Sequence, residues 1–426
     1  MIGISVGLGN VWRFPYMMGE YGGSAFLLVY LIFTFVFAIP AVMAEWTLGR
    51  STRQGPIGAF GAMWGKKAGK IIGGILLINI TVAVAYYVYV IGNIGFSTVF
   101  GLVTGFNEQQ KNLYQELLSH RGLQYAMSLL LIIGCYLVLA KGLKRGIAAL
   151  CRLFVPFFVV VIFLLIIFAL QLKGASSGLV NFLKPDFSQM NAQNIFAALG
   201  QAFFSLGLGG TFLVVFGSYM RAGDNLKNTA IFTALGDVSA AVLAGLFIVP
   251  TVLALGLVLD QGPSLLFSTL PELFSRMVYG QWLGSLFLFA LFMVTFISAL
   301  AALEVILTGL DDALKSRLSR KKILLYLSLV QVIIVSFIAY QPSIIGTLDL
   351  IFGSGMQVFG SGISLLALTW GLGKRKTIMA VFNLSTKQFE QKTVKRNLQS
   401  FYYYWIKWGI PIALFSVLFG YIYSKL

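Results

Sequence analysis

Uncharged apolar stretches long enough to cross a bilayer recur from one end of the 426-residue chain to the other. A membrane-spanning helix needs about 20 mostly apolar residues. Breaking the hydropathy at charged or Gly/Pro-rich punctuation leaves eleven such stretches, roughly 2–18, 24–48, 71–103, 123–140, 144–171, 194–219, 227–257, 282–310, 323–340, 344–372 and 402–424. The pattern predicts an all-α membrane protein of about 11 transmembrane helices, since a helix pairs its backbone groups within the segment. Composition agrees. Charged residues make up 11% of the chain, under half the share of about 25% in soluble domains, and mean hydropathy is +0.87. Soluble enzymes, secreted modules and nucleic-acid binders are excluded.

The formal net charge of +17 would suggest nucleic acid in a soluble protein. Here its distribution argues for topology. With the N-terminus in the cytoplasm, the inner loops hold 22 lysines and arginines and the outer loops six. Cytoplasmic loops carry such an excess by the positive-inside rule, and they face the anionic inner leaflet of the lipid bilayer. The pattern places a multi-pass protein in the cytoplasmic (inner) membrane and leaves no nucleic-acid partner.

The two cysteines, Cys135 and Cys151, fall inside apolar helices and read as small core residues. His120 is the one histidine and lies in an outer loop. Metal catalysis or a histidine relay has no ligand set to draw on, so the chain does not read as an enzyme.

Two spans break the helical habit. The first reads Gly3-Ile4-Ser5-Val6-Gly7-Leu8-Gly9-Asn10 and the sixth Ser205-Leu206-Gly207-Leu208-Gly209-Gly210-Thr211. Each glycine weakens a helix interior by about 1 kcal/mol relative to alanine. Close packing of small residues is the bland explanation, but packing does not ask for Asn10, Gln201 and Ser205 at the same depth. The breaks occupy corresponding places in two five-helix halves, 1–171 and 194–372, with 402–424 as an additional eleventh helix. Matching interruptions in an inverted repeat point to a binding site at the bilayer midplane, where half-helix N-termini face an anion and freed carbonyls hold a cation.

Carboxylates within or at the ends of spans are Glu20, Glu45, Asp237, Glu304 and Asp349. An acid there is costly unless it is paired or lines a polar path. Asp237 has apolar neighbours for two turns on each side and reads as functional. Glu45 and Glu304 read equally well as hydrogen-bond anchors between helices.

Val6-Gly7-Leu8-Gly9-Asn10-Val11-Trp12-Arg13-Phe14-Pro15-Tyr16, followed by Gly22-Gly23-Ser24-Ala25-Phe26 and Glu45-Trp46-Thr47-Leu48-Gly49-Arg50, closely resembles the neurotransmitter:sodium symporter family. The resemblance runs over the whole chain and implies a leucine-transporter-like fold, a 5+5 inverted repeat with helices 1 and 6 unwound. It implies Na+ at a first site formed by the Ser5 carbonyl, Asn10, Ser205 and Asp237, completed by the substrate's own carboxylate. Chloride-dependent relatives have a neutral residue at the Asp237 position, so no chloride is expected here; Tyr30, Gln201 and Ser205 are the implied neighbours of Asp237.

By the same resemblance the substrate is a small-molecule amino acid. Its carboxylate would meet the N–H groups of Leu8 and Gly9 and the Tyr87 hydroxyl, and its ammonium the carbonyls of Ser5, Phe204 and Ser205. Glycine at position 7 replaces the aspartate of monoamine carriers. Ile4, Ala83, Gly207, Gly210, Ser298 and Ala302 would line the side-chain pocket with Phe204. Several of these are smaller than in the leucine transporter, which implies a bulky apolar or aromatic cargo. The implied gates are Arg13 with Asp349, or in another register Phe352, on the outside, under a Tyr87/Phe204 lid. On the inside they are Asp312, Tyr219 and Ser218.

Two departures stand out. At the second sodium site, Gly3, Val6, Val294 and Ser298 line up, but Ile297 stands where the family keeps a hydroxyl, and Thr295 would need a shifted register to supply one. A weak or absent second site follows, since hard cations demand oxygen. About six residues precede the first break, too few for a full half-helix. That favours a start upstream of Met1 over a permanently loosened inner gate. A proton-coupled amino-acid permease and a non-transporting amino-acid-binding membrane protein are the alternatives; a channel lacks its ring of charges or carbonyls.

Overall fold

The computed structural model describes residues 5–142, 146–259, 264–314, 317–390 and 395–423. Eight helical runs among them are long and apolar enough to cross a membrane: α2 (Ser24–Thr52), α3 (Lys66–Val103), α4 (Arg121–Leu139), α5 (Ile147–Leu170), α7 (Leu226–Ala254), α8 (Gly280–Ala313), α9 (Arg320–Tyr340) and α10 (Pro342–Phe382). The other three of the eleven expected spans are broken. In α1, a π turn at Gly9–Arg13 leads into Phe14–Glu20. Two pieces, Ala192–Ser205 and Phe212–Ser218, make α6. The last, α11, runs through Lys395–Tyr404, Trp405–Gly409 and Ile410–Tyr423.

Prolines set much of this geometry. Pro15, Pro40, Pro271 and Pro411 each follow a π turn by two residues, the turns being Gly9–Arg13, Thr34–Ala38, Leu265–Thr269 and Trp405–Gly409. Proline has no N–H for the carbonyl four residues back, and its ring clashes with that carbonyl. In each case the residue before the proline instead donates its N–H to a carbonyl five residues back, for example Phe14 to Gly9 and Ile39 to Thr34. The wider turn lets the helix continue where an α-helix would have kinked. Another break comes at Gly373, whose φ of 72° ends the membrane part of α10 close to its expected limit at 372.

Stretches expected to be plain loops carry short helices at Pro56–Trp64, Lys111–Ser119, Ala175–Leu183 and Leu270–Arg276. These are too short to span. In the bundle, α1 packs on α7 and the second piece of α6 on α2, while α3 packs on α8 and α4, and α4 on α9. The unwound part of α1 meets both α3 and α8, through Leu8 on Tyr87 and Val6 on Ser298.

Candidate functional site

The break in α6 covers residues 206–211. Gly207 and Gly210 adopt φ of 67° and 74° there, values that favour glycine because a Cβ would be strained. The freed backbone is caught by Glu45, which is fully buried on α2. Its carboxylate accepts N–H bonds from Gly209 at 3.1 Å and from Gly210 at 3.1 Å. These bonds replace the helical bonds the break gives up. Glu45 is thus an anchor between helices, one of its two expected roles.

In α1 the helix is interrupted at Val6 and Gly7. Asn10 closes the interruption, its side-chain oxygen accepting the Gly7 N–H at 2.9 Å. The amide nitrogen donates to Asp237 Oδ1 at 2.8 Å, to the Asp237 carbonyl at 3.1 Å and to Ser205 Oγ at 3.2 Å. Tyr30 donates to the other carboxylate oxygen at 3.4 Å, and Gln201 donates to the Gly9 carbonyl at 3.2 Å. Asn10, Ser205 and Asp237 are 1%, 5% and 0% exposed, so a carboxylate sits in the bundle interior with neutral partners. A buried acid without a counter-charge favours a cation. Carboxylate and hydroxyl oxygens are what a hard ion such as sodium takes, while Asn10 turns its amide nitrogen to Asp237 and Ser205 and its oxygen to the Gly7 N–H.

Beside this cluster lies a cavity of about 140 Å³, lined by Ser5, Gly7, Leu8, Gly9, Ala83, Tyr87, Phe204, Ser205, Gly207, Ser298 and Ala302 among others. Nearly every expected substrate-binding residue is therefore brought to one wall. The Leu8 N–H, freed by the break, points at the Tyr87 hydroxyl at 3.4 Å. Gly7 and Gly9 leave room that side chains would fill: a Cβ at Gly7 would lie 3.0 Å from Tyr87 Oη, and one at Gly9 2.8 Å from the Phe204 ring. Gly210 is the exception. A Cβ there would face Ser364 Oγ and the Gly360 carbonyl of α10, so this glycine serves the close approach of α6 and α10 and not the cavity wall. The sequence missed Trp46, Tyr86, Phe216, Thr233 and Gln357, which also line the cavity. Tyr86 had a signal in its place beside Tyr87.

At the expected second sodium site the Ser298 hydroxyl lies 3.1 Å from the Val6 carbonyl and 3.3 Å from that of Val294. Gly3, like Ile4, lies outside the described residues. Ile297 is fully buried. Thr295 keeps its hydroxyl on its own helix, on the Leu291 carbonyl at 2.8 Å and that of Phe292 at 3.1 Å. The register does not shift, and α8 brings no second hydroxyl to this spot.

The expected gate residues have these settings. Arg13 lies over the Phe204 ring, 4.7 Å from its centroid. Asp349 accepts the Tyr86 hydroxyl at 3.0 Å, within a π turn at Asp349–Gly355, and Phe352 packs against the core. On the face that carries the basic loops, Tyr219 donates to Glu304 at 3.2 Å, and Glu304 pairs with Arg320 at 2.5 Å. Asp312 accepts the Gly55 N–H at the start of the Pro56–Trp64 helix, while Ser218 donates back to the Val215 carbonyl at 2.7 Å. Tyr219 and Asp312 thus sit in two separate contacts.

Paired broken helices meeting at a buried cavity, with a buried carboxylate cluster beside it, define a secondary transporter of the inverted-repeat kind, and not an enzyme. The sequence matches the sodium:neurotransmitter symporter family over residues 1–112 and 106–424. The chain belongs to that family. It is 33% identical to an uncharacterized sodium-dependent transporter of Haemophilus influenzae, over 74% of this chain and 72% of that protein. Against an uncharacterized sodium-dependent transporter of Bacillus subtilis the identity is 30%, over the same shares. Among solved structures, that of MhsT in complex with L-phenylalanine matches with a TM-score of 0.86 and 29% identity, over 98% of this chain and 96% of that one. The fold is therefore the leucine-transporter fold, with the 5+5 inverted repeat and helices 1 and 6 unwound.

Proposed function

We propose that this protein couples inward sodium flow to the uptake of a free amino acid, bulky and apolar or aromatic, by alternating access. The observation that carries the reading is the Leu8 N–H, left without a helical partner by the break in α1 and paired with the Tyr87 hydroxyl on the cavity wall, where an incoming carboxylate would meet both donors. Backbone N–H groups at a half-helix start, joined by a hydroxyl, suit a carboxylate. Gly7 offers no side chain to pair with an amine, so the cargo brings its own carboxylate.

That carboxylate lies next to the Asn10–Ser205–Asp237 cluster, where it completes the oxygen set around one sodium ion. Two ligands that complete each other's sites bind cooperatively, and each raises the affinity of the other by the same factor. Asp237 supplies the negative charge, so transport runs without chloride. The second sodium site is weak or absent, with Ile297 in place of a hydroxyl. The resemblance to MhsT, solved with L-phenylalanine, supports an aromatic cargo. The excess of basic residues in one set of loops supports a cytoplasmic N-terminus in the inner membrane.

A binding panel of labelled amino acids, with and without sodium, tests the reading. Tryptophan, tyrosine, phenylalanine and leucine are expected to bind only with sodium. Glycine and alanine winning the competition overturns the cargo class, and uptake unchanged in sodium-free buffer replaces sodium coupling with proton coupling.

A further inference from the structure

Six threonines inside the spans, Thr34, Thr47, Thr81, Thr98, Thr295 and Thr369, each donate the hydroxyl to the carbonyl four residues back on their own helix. A hydroxyl in apolar surroundings is satisfied that way without any other partner. Thr233, on α7, is different. It is 5% exposed and lines the substrate cavity, and among the described residues its hydroxyl takes part in no hydrogen bond. Nor is the oxygen shut in: the buried side-chain atoms that are both closed off and unpartnered belong to eight other residues. The Thr233 hydroxyl is therefore open to the cavity.

Its place along the helix gives that oxygen a use. Asp237 lies four residues further on, one turn away on the same side of α7 and about 6 Å along its axis. From Asp237, Thr233 lies toward Lys227 and the basic loops, near the start of α7. The same cavity touches Asn10 and Ser205, two members of the Asp237 cluster, and it reaches Phe212, Leu213 and Phe216 on the second piece of α6. That piece leads to the face with the basic loops, and its wall of the cavity is apolar. A bare apolar wall is a barrier to a hard cation, which demands oxygen.

We propose that Thr233 is a transit ligand for sodium, its hydroxyl oxygen taking the ion as it leaves the Asn10–Ser205–Asp237 cluster toward the face with the basic loops. The proposal rests on the sodium coupling proposed above and adds the route of release. The ion rests in the cluster and meets Thr233 only in passing, so the hydroxyl lowers a barrier and leaves the resting affinity as it is.

Net uptake of labelled phenylalanine into sodium-free proteoliposomes requires release of the ion in every cycle. Exchange of labelled for unlabelled phenylalanine, with saturating sodium on both sides, does not. The experiment measures both, together with sodium-dependent phenylalanine binding in detergent, for the wild type, Thr233→Val and Thr233→Ser. Thr233→Val keeps the shape of the side chain and loses the oxygen. It is expected to slow net uptake about tenfold, the weight of one hydrogen-bond-sized contact, with exchange and binding as in the wild type, and Thr233→Ser to restore the rate. Net uptake unchanged in Thr233→Val overturns the proposal. So does a loss of exchange or binding in step with uptake, or a Thr233→Ser as slow as Thr233→Val, since each assigns the residue to packing. Where Thr233→Val does not fold, Thr233→Ala gives the same comparison. A wild type without sodium-dependent binding removes the sodium reading itself, which separates that failure from one of Thr233 alone.

Discussion

In the proposed ion chemistry, Asp237 and Ile297 each make a single residue decisive. The Asp237 carboxylate is fully buried and its side-chain partners, Asn10 and Tyr30, are neutral. Such a charge is tolerated where a cation offsets it. Asp237→Asn keeps the shape and removes the charge, so uptake by this variant is expected to fall at least tenfold in chloride-free buffer and to recover when chloride is added. Uptake by the variant that equals wild type without chloride counts against the assignment. Ile297 is the converse case, an alkyl group where an oxygen is wanted, with Thr295 committed to its own helix. Sodium titration of uptake should give a Hill coefficient near one in the wild type and closer to two in Ile297→Thr. A wild-type coefficient near two rejects the single-site reading.

At the scale of elements, the breaks in α1 and α6 were legible in the sequence because glycine density and stranded polar residues mark them directly. Partner choice was not. That Glu45 would hold the Gly209 and Gly210 amides depends on α2 packing along α6, 164 and 165 residues away in sequence, and no local pattern encodes such a pairing. The same limit hid Tyr86, Gln357 and the outward turn of Gly210. The π turns were not read from the sequence: four of them precede a proline, which alone does not say whether a helix ends, kinks or widens, and that at Asp349–Gly355 has no proline behind it. The short helices between spans escaped because hydropathy looks for membrane length. Glu45 carries the prediction at this scale. In Glu45→Ala two buried N–H groups lose their acceptor, which costs about 1–3 kcal/mol each. The variant is expected to melt lower in detergent and to lose substrate binding, while Glu45→Gln, which keeps one acceptor oxygen, should lie between it and wild type. An unchanged melting temperature in Glu45→Ala shows that the break does not depend on this anchor.

Across the whole molecule, the two faces are closed by different mixtures of contact. The face with the basic loops adds to its Glu304–Arg320 ion pair a set of contacts to backbone groups. Arg50 donates to the Asp224 and Ala380 carbonyls, Arg53 to those of Ser218 and Met220, and Asp312 accepts from Gly55. The opposite face relies on charge: Glu272, in the Leu270–Arg276 helix, bridges Lys111 and Arg276 at 2.5 Å each. Lys111 belongs to another loop helix, so the pair joins two connections that would otherwise drape separately over a cavity of about 390 Å³. Hydrogen bonds from Lys111 and then Arg276 hold the Glu272 carboxyl below its usual range. A carboxyl with a depressed folded-state pKa stabilises the fold above its unfolded value, about 4.3, and that contribution is lost as pH falls through the folded value. Salt weakens it further, because the lysine is half-exposed. The melting temperature of wild type should therefore exceed that of Glu272→Gln at neutral pH and low salt, and the gap should close as pH drops below about 4 or as salt rises. A gap that persists at low pH would assign the contribution of Glu272 to packing, leaving the ion pair without a measurable share.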